Sequence, residues 1–210
     1  MAIKWKGVTA MEPKFLLVTD GSAVKQKEGN IFDGAYGFHA YEIVGENQYE
    51  KLHQHGAYAN PTTVPRMEMT AILKALEYIQ AYIKVSGLRT ADIYILTDSE
   101  LSFKSLTEWA YSWLKKEKGG KIYNSSKKEV LNQDVILMAF RIILDLKRIG
   151  YVRFLHINSH VMSNMVSKAK ERFEDYNNID VSDETFIKFL EFNESIDEFV
   201  SEIYNEAKEE

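Results

Sequence analysis

Hydrophobic residues recur along the chain with two different periods. Lys14–Thr19 (KFLLVT) is a short apolar run that closes on Asp20-Gly21-Ser22, the pattern of a strand followed by a turn. Gly34–Val44 and Gln48–Tyr58 are rich in β-prone residues, and Gly45-Glu46-Asn47 between them suits a tight connection. These three runs predict an antiparallel meander. From Arg66 to Val85 the period changes: Ile72, Ala75, Leu76, Ile79, Tyr82 and Ile83 fall at helical spacing, with Pro65 at the entrance and Gly87 past the exit. Ile93–Thr97 then reads as a buried strand. Helical segments follow around Leu101–Trp113, then a lysine-rich loop, then a long helix near Leu131–Ile149. Tyr151–Ile157 is a fifth strand, and the remainder from 166 is helical in two or three pieces, broken around 177–183. The order βββαβαααβα implies an α/β layered domain with a mixed sheet.

With 210 residues, 45% hydrophobic and 27% charged, the chain has the composition of one ordinary globular domain. The expected organisation is an N-terminal extension over 1–13 and one domain over 14–210. The longest apolar stretch, Val135–Leu146, is interrupted by Arg141 and Asp145 and is too short to span a bilayer, so no membrane role is expected. The N-terminus lacks the apolar segment of a secretory signal. Zero Cys excludes disulfides, thiolate catalysis, zinc fingers and iron–sulfur clusters, leaving oxygen or imidazole to hold any metal. An intracellular, cytoplasmic location is the expectation. The net charge of −5 conceals a split: residues 171–210 hold 14 acids against 3 basic residues, and the body before them is net basic. Such a body can meet a polyanion locally.

The first chemical clue is an echo. Val18-Thr19-Asp20-Gly21-Ser22 and Leu96-Thr97-Asp98-Ser99-Glu100 both end an apolar strand on Thr-Asp and a small residue. If the strands are parallel neighbours, both carboxylates lie at one sheet edge, where open α/β sheets place ligands. Paired carboxylates repel, and a divalent cation relieves that. Equally, each Asp could simply cap a turn or helix. Glu68, placed by the pattern in the first turn of its helix, is a third acid near that edge, or a surface glutamate. Trp109 and Trp113 share a helical face and precede Lys115, Lys116, Lys118, Lys121, Lys127 and Lys128, with Glu117 the one acid among them. That segment is either a solvated loop beside core tryptophans or an arm that meets phosphates. No GxxxxGK[ST], GxGxxG or GxSxG occurs, and His156 with His160 are spaced as a helical metal pair but fall on a strand and a loop.

Taken in order, TDGS (19–22), GAYGF (34–38), PRMEMTAILKALE (65–77), ILTDSE (95–100), INSH (157–160) and NESID (193–197) resemble the type 1 ribonuclease H family. The resemblance runs from about residue 14 to 162 and resumes from 193. Its most specific piece is R-M-E opening an apolar helix between T-D-G and T-D-S. Glu108–Lys116 looks like the basic handle of the bacterial enzymes.

The resemblance implies a ribonuclease H-like fold, with the antiparallel meander joined by two parallel strands and flanked by helices. It implies hydrolysis of the RNA strand of RNA/DNA hybrids with two Mg²⁺ (or Mn²⁺) ions, leaving a 5′-phosphate and a 3′-hydroxyl. Asp20 would bridge the ions, Glu68 and Asp98 would complete the leaving-group side, Asp197 would hold the ion that activates water, and His160 would assist proton transfer or product release. Thr63 and Arg66 correspond to positions that touch the hybrid backbone, and Ser22, Ser99 and Glu100 to positions beside the metals. Trp109, Trp113, Lys115, Lys116, Lys118 and Lys121 would form the handle. A monomer is implied. The chain departs from the family at Val64-Pro65, where polar residues are common, and at Glu100, where an amide is frequent. The spacing from His160 to Asp197 is also longer than usual, pointing to an inserted helical segment over about 166–192 before the C-terminal helix. The same fold could instead serve a nuclease of structured DNA or a non-catalytic nucleic-acid adaptor.

Overall fold

The computed structural model describes residues 12–26, 32–159 and 161–209. Most of the expected extension over 1–13, and His160, therefore lie outside the described residues. Five strands form one sheet: β1 (Lys14–Lys25), β2 (Phe32–Gly45), β3 (Gln48–Thr62), β4 (Asp92–Thr97) and β5 (Val152–His156), in the order β3-β2-β1-β4-β5. β1, β2 and β3 pair antiparallel, while β4 runs parallel to both β1 and β5. The helices are α1 (Val64–Val85), α2 (Glu100–Lys104), α3 (Ala110–Leu114), α4 (Gln133–Leu146), α5 (Val166–Asn177) and α6 (Asp183–Glu209), with a π-helical stretch at Ser105–Trp109 linking α2 to α3.

The apolar run of β1 is continuous because both its faces are covered. Phe15 and Leu17 enter one cluster with Leu76, Ile79 and Ile136, and Leu16 and Val18 enter another with Phe186, Phe189 and Ile196. A strand buried on both sides has no solvent face to make polar. Each such side chain contributes about 1.5–3 kcal/mol by its burial. α1 and α4 thus cover one face of the sheet, and α5 and α6 the other.

Three expectations are corrected by this arrangement. β1 does not turn at Asp20-Gly21-Ser22. β2 continues opposite it, with Asp20 facing Gly37 and Ser22 facing Ala35, so the strand has a partner through Lys25. α1 starts at Val64 instead of Arg66, because Thr63 caps it and Pro65 tolerates the first turn, which puts Glu68 just beyond the first turn. The C-terminal helix does not open at Asn193. α6 is one helix from Asp183, and Phe186, Phe189, Phe192, Ile196 and Val200 form its buried stripe without a break. The span expected as an inserted segment is occupied by α5 and the N-terminal half of α6, with no boundary at 192. Smaller differences are the trimmed α4 and the π-helical stretch, which apolar spacing does not distinguish from an ordinary turn.

Two close approaches aim these elements at one place. A Cβ at Gly21 would overlap the backbone of Met67 and Glu68, so α1 can lie directly on β1 only because that residue is glycine. A Cβ at Gly37, the residue opposite Asp20, would stand 3.0 Å from Phe199 and Val200 of α6.

Candidate active site

Parallel pairing of Thr19 with Thr97 makes Asp20 and Asp98 the next residues on adjacent chains, just where β4 ends. The two halves of the Thr-Asp echo are thus neighbours at one sheet edge. Gly21 admits the second turn of α1 and with it Glu68, and Gly37 admits the part of α6 that carries Asp197. All four acids are partly buried.

Their electrostatics show the juxtaposition. Burial, and then the charge of Asp98, raises the Asp20 carboxyl to about 7, with Asp197 and Glu68 adding to the rise. Burial also raises Asp98, against hydrogen bonding from the Ser159 side chain, and Asp197 pushes it further. Glu68 is raised by burial and by Asp98, and Ser99 holds it down. Asp197 thus acts on both strand-end aspartates. The three aspartates between His160 and Asp197 do not enter this set: Asp183 pairs with Lys170 at 2.7 Å, and Asp175 and Asp180 line an acidic surface cleft beside α5. Among the described residues no three His, Asp or Glu side chains close around a single point at coordinating distance. What marks the four as one site is their mutual repulsion, and an all-oxygen, mutually repelling donor set fits a hard divalent cation.

Ser99 is interior. It is 5% exposed, and its Oγ donates to Glu68 Oε2 at 2.5 Å, accepts from Ser102 N at 3.2 Å as the cap of α2, and lies 2.9 Å from Ser102 Oγ. It orients a carboxylate and starts a helix at once. Thr63 likewise caps α1, accepting from Arg66 N at 3.3 Å. Arg66 makes a forked pair with Asp134, at 3.1 and 2.7 Å, which ties α1 to α4. Glu100 is paired with Lys104 at 2.6 Å, and Ser22 is half-buried on β1.

The tryptophans are half-buried, with ring centroids 5.6 Å apart, and Trp113 packs on the α1–α4 core. Lys115 sits over the Tyr111 ring at 4.5 Å, Lys121 pairs with Glu129 at 2.8 Å, and Lys116 and Lys118 are exposed. The segment is therefore folded on aromatics, with part of its charge presented to solvent.

Further residues line the site. A cavity of about 250 Å³ beside Asp197 is lined by Asn158, Ser159, Asn193 and Glu194 among others. Asn193 is 6% exposed and its Oδ1 is buried without a hydrogen-bond partner among the described residues. His156 lies 3.1 Å through Nε2 from the Asp98 carbonyl oxygen, which only a protonated Nε2 can satisfy as donor. Burial lowers its pKa, partly offset by that contact and by Glu100. The motif INSH contains Ser159 without singling it out, and His156 was weighed only for its spacing from His160.

The model of the RNase H family matches residues 12–171. The ribonuclease H of Cyanothece sp. is 38% identical over 119 residues, 57% of this chain and 64% of that protein, so the match spans less than two thirds of the relative's length. Among solved structures, LC9-RNase H1, described as a type 1 RNase H with the type 2 active-site motif, superposes with a TM-score of 0.55 at 15% identity over 81% of this chain and 75% of that one. The PFV RNase H domain also gives 0.55, at 17% identity over 80% and 94%. These likenesses confirm the fold, and the family match takes in Asp20, Glu68 and Asp98 together with the strands and helix that hold them. The chain belongs to the RNase H family.

Proposed function

We propose that this chain is an endoribonuclease that hydrolyses the RNA strand of RNA/DNA hybrids, leaving a 5′-phosphate and a 3′-hydroxyl. The observation that carries the reading is the electrostatic coupling of Asp20 with Asp98, Asp197 and Glu68 at one sheet edge. So many partly buried acids are costly unless cations neutralise them. The family is in general divalent-metal dependent, and Asp20, Glu68, Asp98 and Asp197 are the residues that would hold Mg²⁺ or Mn²⁺. When bound, such ions supply an activated water and charge stabilisation for the leaving oxygen. The chain's own contribution is placement: Ser99 fixes Glu68, Ser159 bonds Asp98, and Asn193 offers an unpaired acceptor beside Asp197. The exposed Lys116 and Lys118 beyond the Trp109–Trp113 pair suit a backbone phosphate. The name ribonuclease H carried by the Cyanothece relative supports the same substrate class. Among the described residues no helix is long and apolar enough to cross a membrane. A monomer working in the cytoplasm fits a chain without Cys.

The test is an end-labelled hybrid incubated with the protein in Mg²⁺, beside duplex DNA, duplex RNA and the Asp98→Asn variant. Cleavage confined to the RNA of the hybrid and lost in the variant is the expected result. Binding without cleavage in both Mg²⁺ and Mn²⁺, or cutting of DNA, would overturn the proposal.

A further inference from the structure

Beside the carboxylate site lies a second groove of about 500 Å³, walled by α5 and lined by Glu100, His156, Asn158, Arg172, Asp175 and Tyr176 among others. Asn158 also lines the cavity of Asp197, so the two are neighbours on either side of that residue. Its floor is tied to the site, because His156 bonds the Asp98 carbonyl and the Tyr176 ring stands 5.0 Å from the His156 ring.

α5 is held firmly against this floor. The Asn177 side chain receives the His156 amide at 2.8 Å and donates to the His156 and Phe173 carbonyls, each at 2.8 Å, while Arg153 Nη2 bonds the Asn177 and Asn178 carbonyls. Upstream of that clamp, Lys168, Arg172 and Tyr176 fall at i, i+4 and i+8, one stripe of the helix. Lys168 and Arg172 have no carboxylate partner among the described residues, whereas Lys170 is taken by Glu174 and Asp183. Glu100, the acid across the groove, is already neutralised by Lys104. The family match stops at residue 171 and does not reach Arg172.

We propose that α5 is an added substrate wall, on which Arg172, with Lys168 one turn before it, receives a backbone phosphate of the hybrid beyond the scissile one, and Tyr176 supports the adjacent sugar. The proposal rests on the hybrid reading given above and extends it to one more contact. Free guanidinium and ammonium groups beside a nuclease centre complement a phosphate chain. Asp175 on the same rim opposes this and serves as a control of opposite sign.

The experiment measures binding of a fluorescent RNA/DNA hybrid to the full chain by anisotropy in EDTA across a salt series, with steady-state cleavage in Mg²⁺ alongside. Arg172→Ala should weaken binding by about fivefold, as for an exposed charge contact. The slope of log K against log[salt] should become shallower by about 0.9 for the lost phosphate contact. KM should rise with kcat nearly unchanged, Arg172→Lys should restore the slope, and Asp175→Asn should tighten binding. An unchanged slope and KM in Arg172→Ala, with wild type still cleaving the hybrid, overturns this inference and leaves the catalytic reading intact. Failure of wild type to bind or cleave the hybrid overturns both.

Discussion

Asp20 should be a source of instability that a cation removes. Its carboxyl stands at about 7 in the folded protein against 3.8 for an ordinary aspartate. A raised acid pKa means that the folded state holds a proton which the unfolded chain has lost. Stability therefore falls as pH rises from about 4 to 7, stays low above that, and is unaffected below about 4. Three pH units at 1.36 kcal/mol each bound the loss at about 4 kcal/mol, and sharing of the repulsion with Asp98 and Asp197 brings it to roughly 2–4 kcal/mol. In metal-free buffer at pH 8, Asp20→Asn should thus be more stable than wild type by about 2–4 kcal/mol, equivalent to a Tm rise of roughly 4–16 °C in a chain of this size. At pH 4 the two should be nearly equal. Saturating Mg²⁺ should raise the wild-type Tm and leave the variant's almost unmoved, since the variant lacks one of the charges that attract the ion. The assay is urea unfolding with EDTA at both pH values, followed by thermal melts with and without Mg²⁺. Equal stability of the two proteins at pH 8, or a gain that persists undiminished at pH 4, would show that Asp20 is not held in a repulsive cluster.

Ser99→Ala removes both the cap of α2 and the donor to Glu68; a loss of about 1–3 kcal/mol in urea unfolding is expected, with weaker Mg²⁺ binding by calorimetry because Glu68 titrates still higher. Gly21→Ala places a methyl group against the backbone of Met67 and Glu68, which cannot swing aside, so about 1–3 kcal/mol or more should be lost and cleavage should fall as Glu68 is displaced. Arg66→Ala should change stability by less than about 1 kcal/mol, because its pair with Asp134 is 39% and 60% exposed. If KM for the hybrid rises in that same variant, Arg66 leaves Asp134 to meet the backbone; an unchanged KM confines it to joining α1 and α4.

What was legible in the sequence, and what was not, divides along the range of the forces. The five strands were readable because each is a run of apolar or β-prone residues, and the Thr-Asp echo became a site once Thr19 paired with Thr97. Whether β1 stops at Asp20 was not readable, since that depends on β2 supplying a partner as far as Lys25. The same holds for Ser99, expected beside the metals, whose bond to Glu68 exists only because α1 packs against it. Tyr176 carries no local signal either, since it meets His156 only when α5 docks on β5.

Asp197 is the instructive case. Its assignment followed from the order of residues in NESID, and the expectation that this motif opens a helix followed from the same likeness. The likeness placed the acid beside its partners but misplaced the helix start, because the two depend on different residues. The position of Asp197 is set by Gly37, which lets Phe199 and Val200 seat against β2 opposite Asp20. The start of α6 is set by the apolar stripe from Phe186, which packs on Phe173 of α5 at a ring distance of 5.4 Å. The two contacts lie at different parts of α6, so the half that packs on α5 and the turn that carries Asp197 are held by separate partners. That separation lets α5, with Arg172 on its outer stripe, stand next to the carboxylates while other contacts hold Asp197 in place.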